Sequence, residues 1–106
     1  MVQEIQNWSE FENMLVALPK NQLVVLDCYA SWCGPCKSIA PYFEELARKY
    51  PDCILLKANV EEIDELTTQF KVSAMPTFIF IKGVKVIDRL EGGSQSKLEH
   101  YIEKHA

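Results

Sequence analysis

Leu23-Val24-Val25-Leu26-Asp27-Cys28-Tyr29-Ala30-Ser31-Trp32-Cys33-Gly34-Pro35-Cys36 is the stretch that decides the fold. Its apolar run, Leu23 to Leu26 and again Tyr29-Ala30, reads as a strand buried on both faces. The following segment, Ser38 to Lys49, reads as an amphipathic helix. Two cysteines lie between them, three residues apart. At that spacing both sulfurs fall on one side of a first helical turn. Their Cα atoms can then approach within the roughly 4.4–6.8 Å that a disulfide requires. Pro35 suits the first turn, where no backbone donor is needed. Cys33 would lie beside unpaired N–H groups at the positive end of the helix dipole, which favour thiolate over thiol. Cys33 is therefore predicted to be the nucleophile, and Cys36, held deeper in the turn, the resolving thiol. The same Cys-x-x-Cys spacing is also half of a four-ligand zinc site, so the motif alone leaves two chemistries open.

Working outward, a short first strand is expected near Val2-Gln6. Ser9-Glu10-Phe11-Glu12 has the form of a capping box opening a helix to about Leu18, which Pro19 helps to end. Cys53 to Val60 reads as a second interior strand. Glu62 to Phe70 reads as a short helix with Ile63, Leu66 and Phe70 on one face. Thr77-Phe78-Ile79-Phe80-Ile81 and Val84-Lys85-Val86-Ile87-Asp88 read as two strands joined at Lys82-Gly83 in an antiparallel hairpin. Ser94 is an N-cap candidate for a last helix carrying Leu98, Tyr101 and Ile102. Pro41, inside the long helix, is expected to bend it. The resulting order, β-α-β-α-β-α-β-β-α, implies an α/β protein whose central mixed five-stranded sheet is flanked by four helices on its two faces.

The chain has 106 residues, 48% of them hydrophobic and 25% charged. No internal repeat, low-complexity tract or linker divides it, so one domain over residues 1–106 is expected, with a core large enough to need no structural disulfide. A net charge of -4 argues against nucleic-acid binding, which wants a basic face. Lys37, Arg48, Lys49, Lys82, Lys85 and Arg89 are dispersed and read as solvated surface. No apolar run is long enough to span a membrane, and Met1-Val2-Gln3-Glu4-Ile5-Gln6 lacks the basic start and apolar segment of a secretory signal. A cytosolic address is expected. There, Cys-x-x-Cys is more often catalytic or metal-binding than structural.

The ordered set Asp27, Ala30, Trp32-Cys33-Gly34-Pro35-Cys36-Lys37, Pro41, Lys57, Met75-Pro76-Thr77, Gly83 and Gly92 resembles the thioredoxin family over nearly the whole chain. The resemblance implies a thioredoxin fold and a general protein disulfide reductase supporting cell redox homeostasis. No cofactor or metal would be bound. The dithiol would be regenerated by a thioredoxin reductase or equivalent flavoprotein, in which FAD and NADPH act. Protein substrates such as peroxiredoxins and ribonucleotide reductase are implied with it, as is a monomeric cytoplasmic protein.

Other positions have a physical reading of their own. Asp27 interrupts an apolar strand. Burial there raises a carboxyl pKa and makes a proton relay for Cys36, whereas an irregular strand would turn it to water. The resemblance favours the relay. By pattern alone Lys57 is an outward lysine; the resemblance makes it the buried partner of Asp27. Met75-Pro76 reads as strand-start punctuation, and the resemblance replaces this with a cis peptide whose loop packs beside the dithiol and leaves the Met75 backbone free for an extended substrate. Trp32, Gly34, Pro35, Met75, Pro76 and Gly92 would then form a small exposed apolar patch for substrate docking. Within it, Trp32 would shield the disulfide. Gly34-Pro35 place no cation between the cysteines to stabilise the Cys33 thiolate strongly, which leans toward a reductant rather than an oxidase or isomerase.

Cys28 stands where the family commonly has an aromatic residue. It reads as an inert buried hydrophobe whose small size leaves the packing beneath the site open. Cys53 reads the same way, unless the strand edge exposes it to oxidation or dimer formation. His100 and His105, five residues apart, share no face for a metal and read as solvated. A structural zinc module lacks a second ligand pair. A redox-gated binding module remains the other alternative to an enzyme.

Overall fold

The computed structural model describes residues 1–106, and its nine elements come in the expected order. They are β1 (Gln3–Glu4), α1 (Trp8–Ala17), β2 (Leu23–Tyr29), α2 (Gly34–Lys49), β3 (Ile54–Asn59), α3 (Glu65–Thr68), β4 (Thr77–Lys82), β5 (Lys85–Glu91) and α4 (Gln95–His105). The strands form one mixed sheet in the order β1-β3-β2-β4-β5. β3 pairs in parallel with both β1 and β2, whereas β4 runs antiparallel to β2 and to β5.

Strand alternation divides the core into two layers. Val24, Leu26 and Cys28 of β2 join Leu56, Ala58, Ile79 and Ile81 under Phe11 and Leu15 of α1 and Leu66 of α3. Leu23 and Val25 face the other way, with Leu55, Phe78 and Phe80, against Ile39, Phe43 and Leu46 of α2 and Leu98 and Ile102 of α4. Residues 23–28 are all buried, as a central strand covered on both faces requires. Phe43 and Phe78 meet at 5.4 Å between ring centroids. Truncating either to alanine is expected to cost about 3–5 kcal/mol.

Several boundaries depart from the sequence reading. β1 is only two residues long. α1 is capped by Asn7 instead of Ser9: the Asn7 side chain accepts the Glu10 N–H at 2.9 Å, and Glu10 accepts the Gln6 N–H at 3.3 Å. The acidic residue that closes the cap is therefore Glu10, not Glu12. Cys53 lies just outside β3. The helix expected over Glu62 to Phe70 shrinks to four residues, because Asn59 gathers the N–H groups of Glu61, Glu62 and Ile63 into a turn. Lys71, at φ 56°, then turns the chain away. The hairpin turn is Gly83-Val84, one residue later than expected, because a two-residue loop favours positive φ at its first position and Gly83 supplies φ +65°. α2 runs on through Pro41 to Lys49.

Two surface assignments are also revised. His105 is not solvated: its Nε2 lies 2.8 Å from Asp88 Oδ2, and its side chain is only 17% exposed. Arg89 donates to the Phe70 carbonyl at 2.7 Å, which ties β5 to the end of the α3 segment. Glu99 similarly joins α4 to α2 by accepting from Tyr42, Tyr50 and Lys49.

Candidate active site

The chain leaves the buried strand β2 at Tyr29 and re-enters regular structure at Gly34, so Cys33 becomes the N-cap of α2. Pro35 occupies the first turn, where its missing N–H leaves nothing unpaired. Cys33 and Cys36 are joined as a disulfide with Cα atoms 5.3 Å apart. The Cys33 sulfur accepts the Cys36 N–H at 3.2 Å, one of the helix-terminal donors that favour a thiolate.

Cys36 lies inside the first turn of α2, deeper in it than the N-cap Cys33, although each residue is 4% exposed. What also separates them is their surroundings. The Cys33 sulfur lies 3.5 Å from the Met75 carbonyl oxygen, against the loop before β4. Cys36 borders a cavity of about 220 Å³, open to the surface, together with Asp27, Lys57 and Lys37.

Asp27 is 4% exposed, and its Oδ1 has no hydrogen-bond partner. β2 passes through this position in unbroken register, with Lys57 on one side and Phe78 on the other, so no strand irregularity turns the carboxyl to water. Burial pushes the Asp27 pKa up to about 7 and outweighs the pull of Lys57, while Glu4 adds to the rise.

Lys57 is not the buried partner that was expected. Its side chain is 40% exposed, and the carboxylate within ion-pair range of its Nζ is Glu4, at 3.9 Å. Glu4 in turn accepts from the Tyr29 hydroxyl, which lies 3.0 and 2.9 Å from its two oxygens. Sequence reasoning missed both Glu4 and Tyr29. The alternation of β2 does place Tyr29 on the face of Asp27, but Glu4 enters only through the parallel pairing of β1 with β3.

The apolar rim is partly as expected. Trp32 is 66% exposed, Gly34 and Pro35 are exposed, and Met75 is half-buried. Pro76, expected on the surface patch, is buried, so it shapes the rim from beneath: its carbonyl accepts the Gly92 N–H at 2.9 Å. The Met75-Pro76 peptide is cis, and Gly92 has φ +101°. Gly93, also missed, lies beside Pro35, where an added Cβ would make ordinary contact with the Pro35 carbonyl oxygen at 3.6 Å. The segment between β5 and α4 thus abuts the first turn of α2.

Cys28 is fully buried in the layer under α1 and α3, on the sheet face opposite α2. Val60 and Met75 pack against both this layer and the cluster that holds the dithiol, and burial raises the Cys28 thiol pKa. Cys53 is half-buried, and partial burial with Asp52 nearby raises its pKa too.

A redox pair capping a helix that leaves a central strand, with an unpartnered buried carboxyl behind it, defines a thiol–disulfide oxidoreductase. The thioredoxin family model matches residues 2–104, and the chain belongs to that family. It is 45% identical to Thioredoxin-T of Drosophila melanogaster, in an alignment covering 100% of this chain and 68% of that protein. Reduced Schistosoma mansoni thioredoxin pre-protein superposes with a TM-score of 0.92 at 42% identity, covering 99% of this chain and 98% of that one. A chain of the structure describing the thiol resolving mechanism in yeast mitochondrial 1-Cys peroxiredoxin via glutathione/thioredoxin systems superposes at 0.88 with 33% identity, over 97% of this chain and 94% of that one. The protein is accordingly a protein disulfide oxidoreductase working by dithiol–disulfide exchange. No helix is long and apolar enough to cross a membrane.

Proposed function

We propose that Cys33 is the attacking thiol, Cys36 the resolving thiol and Asp27 the proton acceptor of a reductant of protein disulfides. The observation that carries this assignment is the difference in surroundings: the Cys33 sulfur lies against the Met75 carbonyl of the rim loop, whereas Cys36, and not Cys33, lines the cavity that holds Asp27. The Cys33 thiolate, steadied by the Cys36 N–H, attacks one sulfur of the substrate and expels the other as a thiolate. Cys36 then gives its proton to the Asp27 carboxylate and attacks the Cys33 sulfur, releasing the second substrate thiolate. Both electrons end on the substrate, and the chain is left with the Cys33–Cys36 disulfide. Lys57, opposite Asp27 in register, is the partner of the relay: its charge tempers the rise in the Asp27 pKa without pairing with the carboxyl.

Trp32, Met75 and Gly92, with Pro76 beneath them, form the docking rim, and Gly34-Pro35 set the turn and the redox poise. The 106 residues act as one domain and as a cytoplasmic monomer that needs no resident cofactor. Electrons return to the dithiol from NADPH through an FAD-containing thioredoxin reductase. The likeness to a chain described with a 1-Cys peroxiredoxin supports peroxiredoxins as substrates, and ribonucleotide reductase is a further protein disulfide of the same class.

Insulin disulfide reduction with NADPH and a thioredoxin reductase tests the assignment. Turnover is expected to vanish in both Cys33→Ser and Cys36→Ser, with a mixed disulfide trapped only when Cys33 remains. Full turnover in Cys33→Ser would move the chemistry to another cysteine and end the proposal.

A further inference from the structure

Three charged side chains form one row across the sheet. Parallel register sets Glu4 of β1 opposite Lys57 of β3, and Lys57 opposite Asp27 of β2. Lys57 therefore stands between two carboxyls in different surroundings. Glu4 is 29% exposed, and the Tyr29 hydroxyl spans both of its oxygens. Asp27 is nearly sealed, and its Oδ1 meets no donor. Charge is cheaper to keep on the hydrated, hydrogen-bonded carboxylate than on the buried one. The Lys57 ammonium accordingly lies 3.9 Å from Glu4 and forms no ion pair with Asp27.

We propose that Glu4, oriented by Tyr29, is a positioning residue: it draws the Lys57 ammonium away from Asp27 and so keeps the Asp27 carboxyl a strong enough base to take the Cys36 proton. The inference rests on the reading of Asp27 as the proton acceptor. Were Lys57 paired directly with Asp27, the carboxylate would be stabilised and would become a weaker base, with less driving force for proton transfer. The remaining groups facing this row are few. Lys37 and Cys36 border the Asp27 cavity from α2, and Glu44 and Lys37 border the adjoining space beside Lys57. Glu62 acts on Tyr29, and the β4 residue opposite Asp27 in register is the uncharged Phe78.

The test is the carboxyl carbon titration of Asp27 by NMR in the oxidised protein, where Cys33 and Cys36 do not titrate. In Glu4→Gln the Asp27 midpoint is expected to fall by about one pH unit as Lys57 turns to it. In Tyr29→Phe, which leaves Glu4 charged but no longer oriented, the midpoint falls by less than in Glu4→Gln; an unchanged midpoint there would remove Tyr29 from the proposal. In a Lys57→Met background the drop caused by Glu4→Gln is at least halved. An unchanged midpoint in Glu4→Gln overturns the inference. So does a drop more than half retained without Lys57, because Glu4 would then act by its charge alone. The underlying relay is judged separately: exchange rates in Asp27→Ala that match the wild type from about pH 6 to 9 would refute the relay, while the Asp27 titration still reads the effect of Glu4.

Discussion

Asp27 and Lys57 are register partners on adjacent parallel strands, yet they form no ion pair. The carboxyl stays buried with an unpaired oxygen while the ammonium reaches outward to Glu4. A buried acid left in this state carries a stability penalty whenever it ionises, and retaining it makes sense where its proton is used.

That penalty gives the first prediction. The folded protein holds the Asp27 proton up to about pH 7, whereas the unfolded chain releases it near the ordinary value of 3.8. The stabilising effect of proton uptake is therefore full below about pH 4, is lost as the pH rises to about 7, and stays absent above; the total is about 4 kcal/mol. Asp27→Asn lacks this decline. Urea unfolding near pH 4 and near pH 8 should show the variant gaining on the wild type at the higher pH. A constant difference between the two proteins would contradict the burial argument.

Thiol reactivity should follow placement. After reduction, Cys33 is expected to react with iodoacetamide first, the half-buried Cys53 more slowly, and the fully buried Cys28 last. Cys28 depends on an unfolding event, so it should lag by about a thousandfold or more in the native state. Peptide mass analysis of timed samples gives the order, and early labelling of Cys28 would mean that the β2 layer opens locally.

The end of α4 is fastened by His105 and Lys104, both directed at Asp88 Oδ2. The His105 hydrogen bond is the main reason the Asp88 pKa lies below the ordinary aspartate value. Stability from Asp88 is therefore present above that ordinary value and is lost as the pH falls through the depressed one. His105→Ala should cost about 1 kcal/mol near neutral pH, a figure kept low because the site is partly solvated. The gap to wild type should close in acid as Asp88 takes up its proton, which urea midpoints near pH 7 and pH 3 would show.

Gly92 pins the rim to Pro76 while holding φ +101°, a conformation that side chains rarely adopt. An added Cβ would meet no neighbour within 4 Å, so the effect of Gly92→Ala is one of backbone strain alone. A loss of about 1–2 kcal/mol is expected, with slower insulin reduction as the rim shifts. Unchanged stability would show that the loop accommodates alanine by moving.

The elements legible in the chain were those with a local cause. The apolar run of β2, the amphipathic face of α2 and the glycine turn between β4 and β5 each declare themselves within a few residues. Two of the errors also had local causes. Two overlapping capping patterns begin at Asn7 and Ser9, and the folded chain uses the first, in which the Asn7 side chain accepts the Glu10 N–H. The segment after β3 has helical spacing at Ile63 and Leu66, but Asn59 captures its first N–H groups for a turn. His105 looked solvated because its partner, Asp88, lies 17 residues away on another element.

By itself the sequence determined that two cysteines would sit at the start of a helix leaving a buried strand, because spacing and hydrophobic pattern act over one or two turns of chain. Only the tertiary structure decided how those thiols are served. The sheet pairs β1 with β3 and β3 with β2, bringing Glu4, Lys57 and Asp27 into one row although 53 residues separate the first two. It also turns Pro76 inward, sends Cys28 to the far face and sets Cys36 beside the Asp27 cavity. Register between distant strands and the dielectric around a carboxyl arise from the packing of the whole sheet, and no local pattern in the chain encodes them.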